Sequence, residues 1–382
     1  MSRIEKLIAD LCREGLNLKR LGEVVTPKRG KRLVRSQLEE GGSFAVYQNS
    51  MRPLGYYHEC NTPAGATFVI VAGAAGEIGF STDAIWAADD VYFFPESDAL
   101  DNKYLYHFLL TKQHEISSQV RRASIPRLSI AAIEKLQIPL PPLKVQFEIV
   151  RILDAFTELT AELTAELTAR KQQYEYYRDA LLSFGDRAEE RTNERTTITT
   201  LGEIFNMRAG RNISASNISS VPSGRRIYPC FGGNGVRGFV EDFSHDDKHV
   251  LIGRQGALCG NVQRVQGKFF ATEHAVVVKA NGEVNLDWAY HLLTHINLNQ
   301  YASKSAQPGL AVGTLAKVKI AVPPIKVQIR IAGILDQFDK LTSSMSEGLP
   351  REIELRQKQY AYYRDLLFSF PKPNTANAAT VA

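Results

Sequence analysis

Two stretches of this chain, about 182 residues apart, carry nearly the same helical segment. The first reads Pro141-Pro142-Leu143-Lys144-Val145-Gln146 and then Ile152-Leu153-Asp154-Ala155-Phe156. The second reads Pro323-Pro324-Ile325-Lys326-Val327-Gln328 and then Ile334-Leu335-Asp336-Gln337-Phe338. Each copy ends on a matched signature, Gln173-Tyr174-Glu175-Tyr176-Tyr177-Arg178-Asp179 and Gln359-Tyr360-Ala361-Tyr362-Tyr363-Arg364-Asp365. The stretches between match only sparsely. A repeat that keeps its helices and lets the rest diverge suggests one scaffold carrying two different domains.

The spacing after each Pro-Pro is heptad-like. Val145, Ile149, Ile152, Phe156, Leu159 and Leu163 recur at intervals of four and three, as do Val327, Ile331, Ile334, Phe338 and Leu341. The first helix is expected from Lys144 to Phe184, roughly 60 Å at the standard rise. A rod of that length with one apolar stripe needs a partner of similar length. The other copy is the economical one, so two long helices packed as an antiparallel coiled coil are expected. Ile152, Phe156, Leu159, Tyr174 and Tyr177 on one, with Ile334, Phe338, Leu341, Tyr360 and Tyr363 on the other, are the expected packing or subunit-interface residues. The repeat Thr160-Ala161-Glu162-Leu163-Thr164-Ala165-Glu166-Leu167 drifts off the heptad as a stutter. Gly348-Leu349-Pro350 is expected to interrupt the second helix.

Both units open on the same tripeptide, Leu21-Gly22-Glu23 and Leu201-Gly202-Glu203, and continue through short β-rich runs bounded by glycine. The parallel runs include Thr67-Phe68-Val69-Ile70-Val71 with His249-Val250-Leu251-Ile252-Gly253, and Val91-Tyr92-Phe93-Phe94 with Ala275-Val276-Val277-Val278. A helix carrying Tyr106-His107 or Tyr290-His291 follows in each. Both units therefore share one α/β plan. The expected division is an N-terminal helical segment 1–20, a first unit 21–142, a long helix 143–185, a linker 186–200, a second unit 201–324, a second long helix 325–370 and a disordered tail 371–382.

At 382 residues more than one core is expected. No run of about 18 apolar residues is present, so no membrane helix is expected; the N-terminus lacks the uninterrupted apolar core of a secretion signal, so a cytoplasmic location is expected. Cys12, Cys60, Cys230 and Cys259 are scattered, without a CxxC pair, and read as reduced thiols. The net charge is +5. The first unit has 12 Lys and Arg against 13 Asp and Glu, the second 13 against 8. Basic residues cluster early in both, which suits a polyanion.

Motifs for catalysis are nearly missing: the chain has neither a GxxxxGK[ST] phosphate loop nor HExxH or Cys/His metal spacing. Phe231-Gly232-Gly233-Asn234-Gly235 fits a glycine-rich pattern that can cradle S-adenosylmethionine, but such a run equally makes a plain turn. The Pro-Pro pairs follow Leu140 and Val322 and precede Leu143 and Ile325. They lack the Asn or Asp and the aromatic residue that adenine methylation needs. A turn shaping a DNA-facing loop is the favoured reading. Arg pairs bidentately with guanine, and Asn or Gln with adenine. The candidate DNA contacts are Arg29, Lys31, Arg32, Gln48, Asn49, Arg52, Arg122 and Arg127 in the first unit. In the second they are Arg208, Arg211, Asn212, Arg225, Asn234, Arg237, Arg254, Gln255 and Gln307.

Over nearly its whole length the pattern resembles the specificity subunit of type I restriction–modification systems. The resemblance rests on the two Leu-Gly-Glu openings, Gly232-Gly233-Asn234-Gly235, Ile252-Gly253-Arg254-Gln255-Gly256, Ala271-Thr272-Glu273-His274-Ala275, the two Pro-Pro openings and the two Tyr-x-Tyr-Tyr-Arg-Asp endings. The first unit departs from it: Ala74 and Ala75 stand where the second has Arg254 and Gln255, and Asp89-Asp90 where it has Glu273-His274. The resemblance implies two α/β target recognition domains with curved β-sheets, a pseudo-two-fold repeat and a non-catalytic reader of an asymmetric, split DNA site. It further implies that the helices act as a ruler and hold two modification subunits. This chain would hold no cofactor. The modification subunits would bring S-adenosylmethionine, and the restriction subunits would use ATP and Mg. Three alternatives stay open on the residues alone. The chain could be a coiled-coil scaffold with protein-binding domains, whose DNA affinity would not fall with salt. It could be a self-sufficient methyltransferase using Phe231–Gly235, or it could serve a related system with a fused methylase and nuclease partner.

Overall fold

The computed structural model describes residues 3–12, 15–183, 196–256, 258–304, 307–344 and 346–371. The expected tail beyond Pro371 and linker residues 186–195 lie outside the described residues. The chain divides into two compact units, residues 1–163 with 353–382, and residues 164–352.

In the first unit, α1 (Arg3–Leu11), β1 (Leu18–Arg20), α2 (Leu21–Val24) and β2 (Lys28–Arg29) lead into β3 (Phe44–Tyr47), β4 (Gly55–Tyr57), β5 (Ala66–Ile70), β6 (Ile78–Ser81), β7 (Ile85–Ala87) and β8 (Val91–Phe93). Then come α3 (Asn102–Thr111), α4 (Gln113–Ser118), α5 (Ile130–Glu134), β9 (Gln137–Pro139) and α6 (Leu143–Leu182). Strands order as β2-β8-β5-β6 in one sheet, β4-β3-β7 in a second, and β1-β9 in a ribbon. All neighbours are antiparallel except β3 and β7.

The second unit repeats this plan with β10 (Thr197–Thr200), α7 (Leu201–Ile204), β11 (Phe205–Ala209), β12 (Tyr228–Gly232), β13 (Gly235–Val240), β14 (His249–Gly253), β15 (Val262–Val265), β16 (Phe270–Ala271) and β17 (Ala275–Ala280). It continues with α8 (Leu286–His295), α9 (Val312–Ala316), β18 (Lys319–Val322) and α10 (Ile325–Ser343), after which α11 (Leu349–Leu367) passes back into the first unit at residue 353. Its sheets are β11-β17-β14-β15, β13-β12-β16 and β10-β18, and the β12–β16 pair is again parallel. The sparse sequence match thus hides one topology used twice.

Each core sits where a helix covers the four-stranded sheet. On α3, Tyr104, Leu105, Phe108 and Leu109 are buried, and on α8, Trp288, Ala289, Leu292 and Leu293. Both helices start on a side-chain cap: Asp101 accepts from the Tyr104 amide and Asn285 from the Trp288 amide. The glutamine of each Pro-Pro motif locks this cap to the long helix. Gln146 accepts from the Asp101 amide and donates to the carbonyls of Ala99 and Pro141. Gln328 accepts from the Asn285 amide and donates to the Pro323 carbonyl.

The long helices depart from a single heptad seam. On α6, Val145, Ile149 and Leu153 are fully buried in the first reader's core, and Ile331, Ala332 and Leu335 of α10 do the same in the second. Ile152, Phe156, Leu159, Ile334, Phe338 and Leu341 are only half-buried on the neighbouring face. Each helix therefore has two apolar faces, one for a reader and one for the other helix. Within the first unit, Phe156 of α6 stacks on Tyr363 of α11 at 5.4 Å. Within the second, Tyr177 of α6 stacks on Phe338 of α10 at 5.6 Å, and Tyr174 lies 6.2 Å from the same ring. Early residues of one helix meet late residues of the other in both units, which is antiparallel pairing. The compact units consequently join readers to helix halves, where a separation of readers from helices was expected.

The second helix is broken as expected, between Ser343 and Leu349, with Gly348 at φ +81°. Two boundaries are corrected. Thr197–Thr200, expected as linker, is a strand paired with Lys319–Val322, and Leu18–Arg20, expected in a helical segment, is a strand paired with Gln137–Pro139. Among the described residues no helix is long and apolar enough to cross a membrane, and no cluster of three His, Cys, Asp or Glu side chains could hold a metal ion.

Candidate nucleic-acid interface

In each reader the loops that leave the two sheets meet at one junction. In the second unit, Phe231–Gly235 is a hairpin turn: Phe231 faces Val236, Gly232 faces Gly235, and Gly233-Asn234 form the bend. It opens no helix, unlike the strand-to-helix glycine turns that hold dinucleotide phosphates. The bend presses on β14 so closely that a Cβ on Gly253 would stand 2.1 Å from the Gly233 carbonyl oxygen. Past that contact, the Arg254 amide donates to the His274 carbonyl at 2.8 Å and the Leu310 amide to the Arg254 carbonyl at 2.8 Å. The Gly256 amide donates to the Pro308 carbonyl at 3.0 Å. Side chains then cross-link the loops. Asn261 donates to Asn234 at 3.0 Å, and the Gln255 side-chain oxygen lies 2.6 Å from Nδ1 of His274.

This junction brings together Asn234, Arg254 and Gln255, with Gln307 one residue from Pro308. Arg237 leaves the hairpin's other strand, its side chain running over Gly232. Arg211 stands at a second place, where its amide donates to the Ala271 carbonyl, and exposed Asn212 follows it. Arg208 is exposed on β11, and Arg225 is exposed in the Ser223–Arg226 turn.

The first reader builds the same junction from other residues. The Ala74 amide donates to the Asn49 carbonyl at 2.9 Å and the Gly73 amide to the Pro126 carbonyl at 3.1 Å. Arg121 and Arg127 pair through both backbone bonds, and Arg127 also bridges Ala72. Asn49 and Arg127 therefore meet here, with Gln48 and Arg52 in the same loop as Asn49 and exposed Arg122 beside Arg121. Arg29, Lys31 and Arg32 lie elsewhere. Arg29 and Lys31 line an open groove of about 700 Å³ with Asn61 and Trp86, and Arg29 Nε donates to the Asp89 carbonyl. Asn261, His274 and Arg121 are junction residues that sequence reasoning missed. Their signal is pairing: Asn261 and His274 directly precede strands that pair with β14, which runs into Arg254, and Arg121 is bridged to Arg127.

Helix-side residues form a separate buried contact. His107 of α3, 1% exposed, lies 2.9 Å from the Tyr360 hydroxyl and 3.2 Å from Asp154. His291 of α8, fully buried, lies 2.8 Å from Asp336 and 3.5 Å from the Tyr174 hydroxyl. Burial lowers both imidazoles below their ordinary pKa despite the carboxylate beside each. Burial pushes the Tyr174 phenol up to about 12 and raises Tyr360 as well. Each reader is thus bolted through one neutral histidine to an aspartate of one long-helix copy and a tyrosine of the other.

Residues 13–170 and 193–355 each match the family described as the type I restriction modification DNA specificity domain. The specificity subunit of the EcoprrI type I restriction enzyme of Escherichia coli is 53% identical over 262 residues, covering 66% of this chain and 64% of that protein. The EcoR124I/EcoR124II specificity subunit of Escherichia coli is 36% identical over 304 residues, covering 72% of each. In fold, the chain is similar to the S subunit of a type I restriction–modification system from M. genitalium, with a TM-score of 0.65 at 19% identity over 94% of this chain and 97% of that one. With the specificity domain matched twice over most of its length, on two readers of one topology, the chain belongs to the family of type I restriction–modification specificity subunits.

Proposed function

We propose that this chain is the DNA-reading subunit of a type I restriction–modification complex. Each reader takes one half of a split, asymmetric site in duplex DNA. The paired helices set the gap and dock two modification subunits, with restriction subunits joining that assembly. The chain itself transfers no group and holds no cofactor. S-adenosylmethionine belongs to the modification subunits, and ATP with Mg to the restriction subunits.

One observation carries this reading. The same loop junction is built twice, with Asn234, Arg254, Gln255 and His274 in one reader; in the other, the matching backbone bonds put Val71, Ala72 and Asp90, not Ala74 and Ala75, in the places of Arg254, Gln255 and His274, beside Asn49 and Arg127. A fixed frame with exchanged donors and acceptors is what reading two different base sequences requires. Arginines at each junction, Arg254 in one reader and Arg121, Arg122 and Arg127 in the other, supply phosphate contacts that fix register.

The test is a map of methylated adenines in cells with and without the chain, repeated after residues 201–324 are replaced by another recognition domain. The expected result is a two-part motif that depends on the chain and changes in one half only. Loss of the motif's split character, or a change in both halves, would refute one reader per half-site.

A further inference from the structure

We propose that Asp89 and Glu273 are base readers, each accepting a hydrogen bond from the exocyclic amino group of a cytosine or adenine in its own half-site. The inference rests on the DNA-reading function proposed above.

The backbone shows that the two residues are equivalent. The Gly30 amide donates to the Val91 carbonyl and the Gly210 amide to the Ala275 carbonyl, both at 2.9 Å. The following amides, Lys31 and Arg211, donate to Ala87 and Ala271, again at 2.9 Å. Asp89 and Glu273 therefore occupy the same place, two residues before the β8 and β17 positions so paired, in the link where the chain passes from the three-stranded to the four-stranded sheet. Each link lies against a basic residue of the neighbouring loop, Lys31 or Arg211. An arginine also holds the backbone of each acid: Arg29 donates to the Asp89 carbonyl at 2.8 Å, and Arg254 reaches the Glu273 carbonyl at 3.4 Å.

Both carboxylates are left incomplete. Asp89 Oδ1 and Glu273 Oε2 are shut off from solvent and have no hydrogen-bond partner. A buried acceptor without a donor is costly, so its recurrence at one place in two divergent readers calls for a donor from outside the chain. The side chains are half-buried, Glu273 being 33% exposed with its other oxygen 3.2 Å from Nε2 of His274, so each carboxylate must rotate to present the orphaned oxygen to a ligand. A carboxylate brought close to DNA phosphates loses electrostatic energy on binding unless a specific donor meets it. Among major-groove base edges that donor is the amino group of cytosine or adenine. Ionised Asp and Glu only accept, so they reject the carbonyl edges of guanine and thymine.

The test uses the full-length chain in cells carrying its own modification subunits, with Asp89→Leu or Glu273→Met to remove the acceptor at similar volume. Methylated motifs are mapped by single-molecule sequencing, and the purified chain is titrated with duplexes altered at single base pairs. Asp89→Leu should relax one cytosine- or adenine-bearing position of one half-site, and Glu273→Met one position of the other. Discrimination there should fall roughly tenfold. Asp89→Asn, which keeps an acceptor oxygen and the shape, should show a smaller loss and guards against a folding failure of the leucine variant. Unchanged discrimination at every position in these variants overturns the inference while the wild-type motif leaves the DNA-reading function standing. A wild-type chain with no motif removes that function itself.

Discussion

The link between the two sheets leaves no space for a side chain on the loop it crosses. An ideal Cβ on Gly30 would stand 2.2 Å from the Ala87 carbonyl oxygen and 2.3 Å from that of Ala88. On Gly210 it would stand 2.3 Å from the Ala271 oxygen and 2.4 Å from that of Thr272. All four are backbone atoms, so no side-chain rotation relieves the contact. For Gly30→Ala the link must withdraw by about 0.8 Å to reach even the shortest tolerable separation. That movement stretches the Gly30–Val91 and Lys31–Ala87 hydrogen bonds, each worth about 1 kcal/mol net. Overpacking adds about 1–3 kcal/mol. The first unit should lose roughly 2–5 kcal/mol, and Gly210→Ala should do the same to the second. Peptide-resolved hydrogen exchange on the full chain reads this directly. Gly30→Ala should lower protection in β2, β5 and β8, whereas Gly41→Ala, where a Cβ meets nothing within 4 Å, should stay within about 0.5 kcal/mol of the parent. Equal protection in the Gly30 and Gly41 variants would show that the link yields freely and would refute the reasoning.

Acid should loosen the reader–helix bolts. The pKa values of His107 and His291 are lowered by burial, so the unfolded chain takes up protons first as pH falls. Stability is complete above about pH 6.5 and declines below it, by at most about 1.4 kcal/mol per pH unit for each histidine, until the lowered pKa is reached. Melting from pH 8 to 5 should be less pH-dependent in His107→Asn and His291→Asn, and identical slopes would contradict this. Arg264 bonds Asp287 at 3.1 Å, Asp339 at 3.3 Å and also Asp336, and lies 4.2 Å from the Tyr290 ring centroid. Arg264→Met leaves three carboxylates facing one another, and because the site is a quarter exposed the expected loss in chemical denaturation is about 2 kcal/mol. Deleting Thr164–Leu167 removes about 6 Å of helix, so the gap in the methylated motif should shorten by one or two base pairs, and an unchanged gap would sink the ruler.

What could be read from the residues followed from what repeats locally. The long helices were legible because their apolar spacing and the Pro-Pro and tyrosine signatures occur in both copies, and Gly348-Leu349-Pro350 marked the break in the second. The two faces of α6 were not legible, because Ile149, Ile152, Leu153 and Phe156 form one broad apolar band and only the packing divides it. Thr197–Thr200 carries a β-branched signal that its charged, threonine-rich surroundings masked, and Leu18–Arg20 carries none. Neither segment buries alternate residues, and their partners lie about 120 residues along the chain. At the candidate interface, charge and amide chemistry pointed to Arg254, Gln255 and Asn234. Their neighbours Asn261 and His274 came only with strand register, which no local spacing encodes.

The bolts also explain why helices stay alike while readers diverge. The long helices present the same groups twice: Asp154 or Asp336, Tyr360 or Tyr174, and Gln146 or Gln328. The readers answer with a common histidine but with a cation from different places. In the first, Lys103 of α3 meets Asp154 at 2.8 Å and lies over Phe80 of β6. In the second, register puts Arg264 of β15 where Phe80 stands and Asp287 of α8 where Lys103 stands, and the cation reaches Asp336 from the strand. One fixed carboxylate on the helix thus accepts a donor from either neighbouring element. A reader that keeps the histidine and places one cation within reach satisfies the scaffold, so its loops can change base preference without disturbing the bolt.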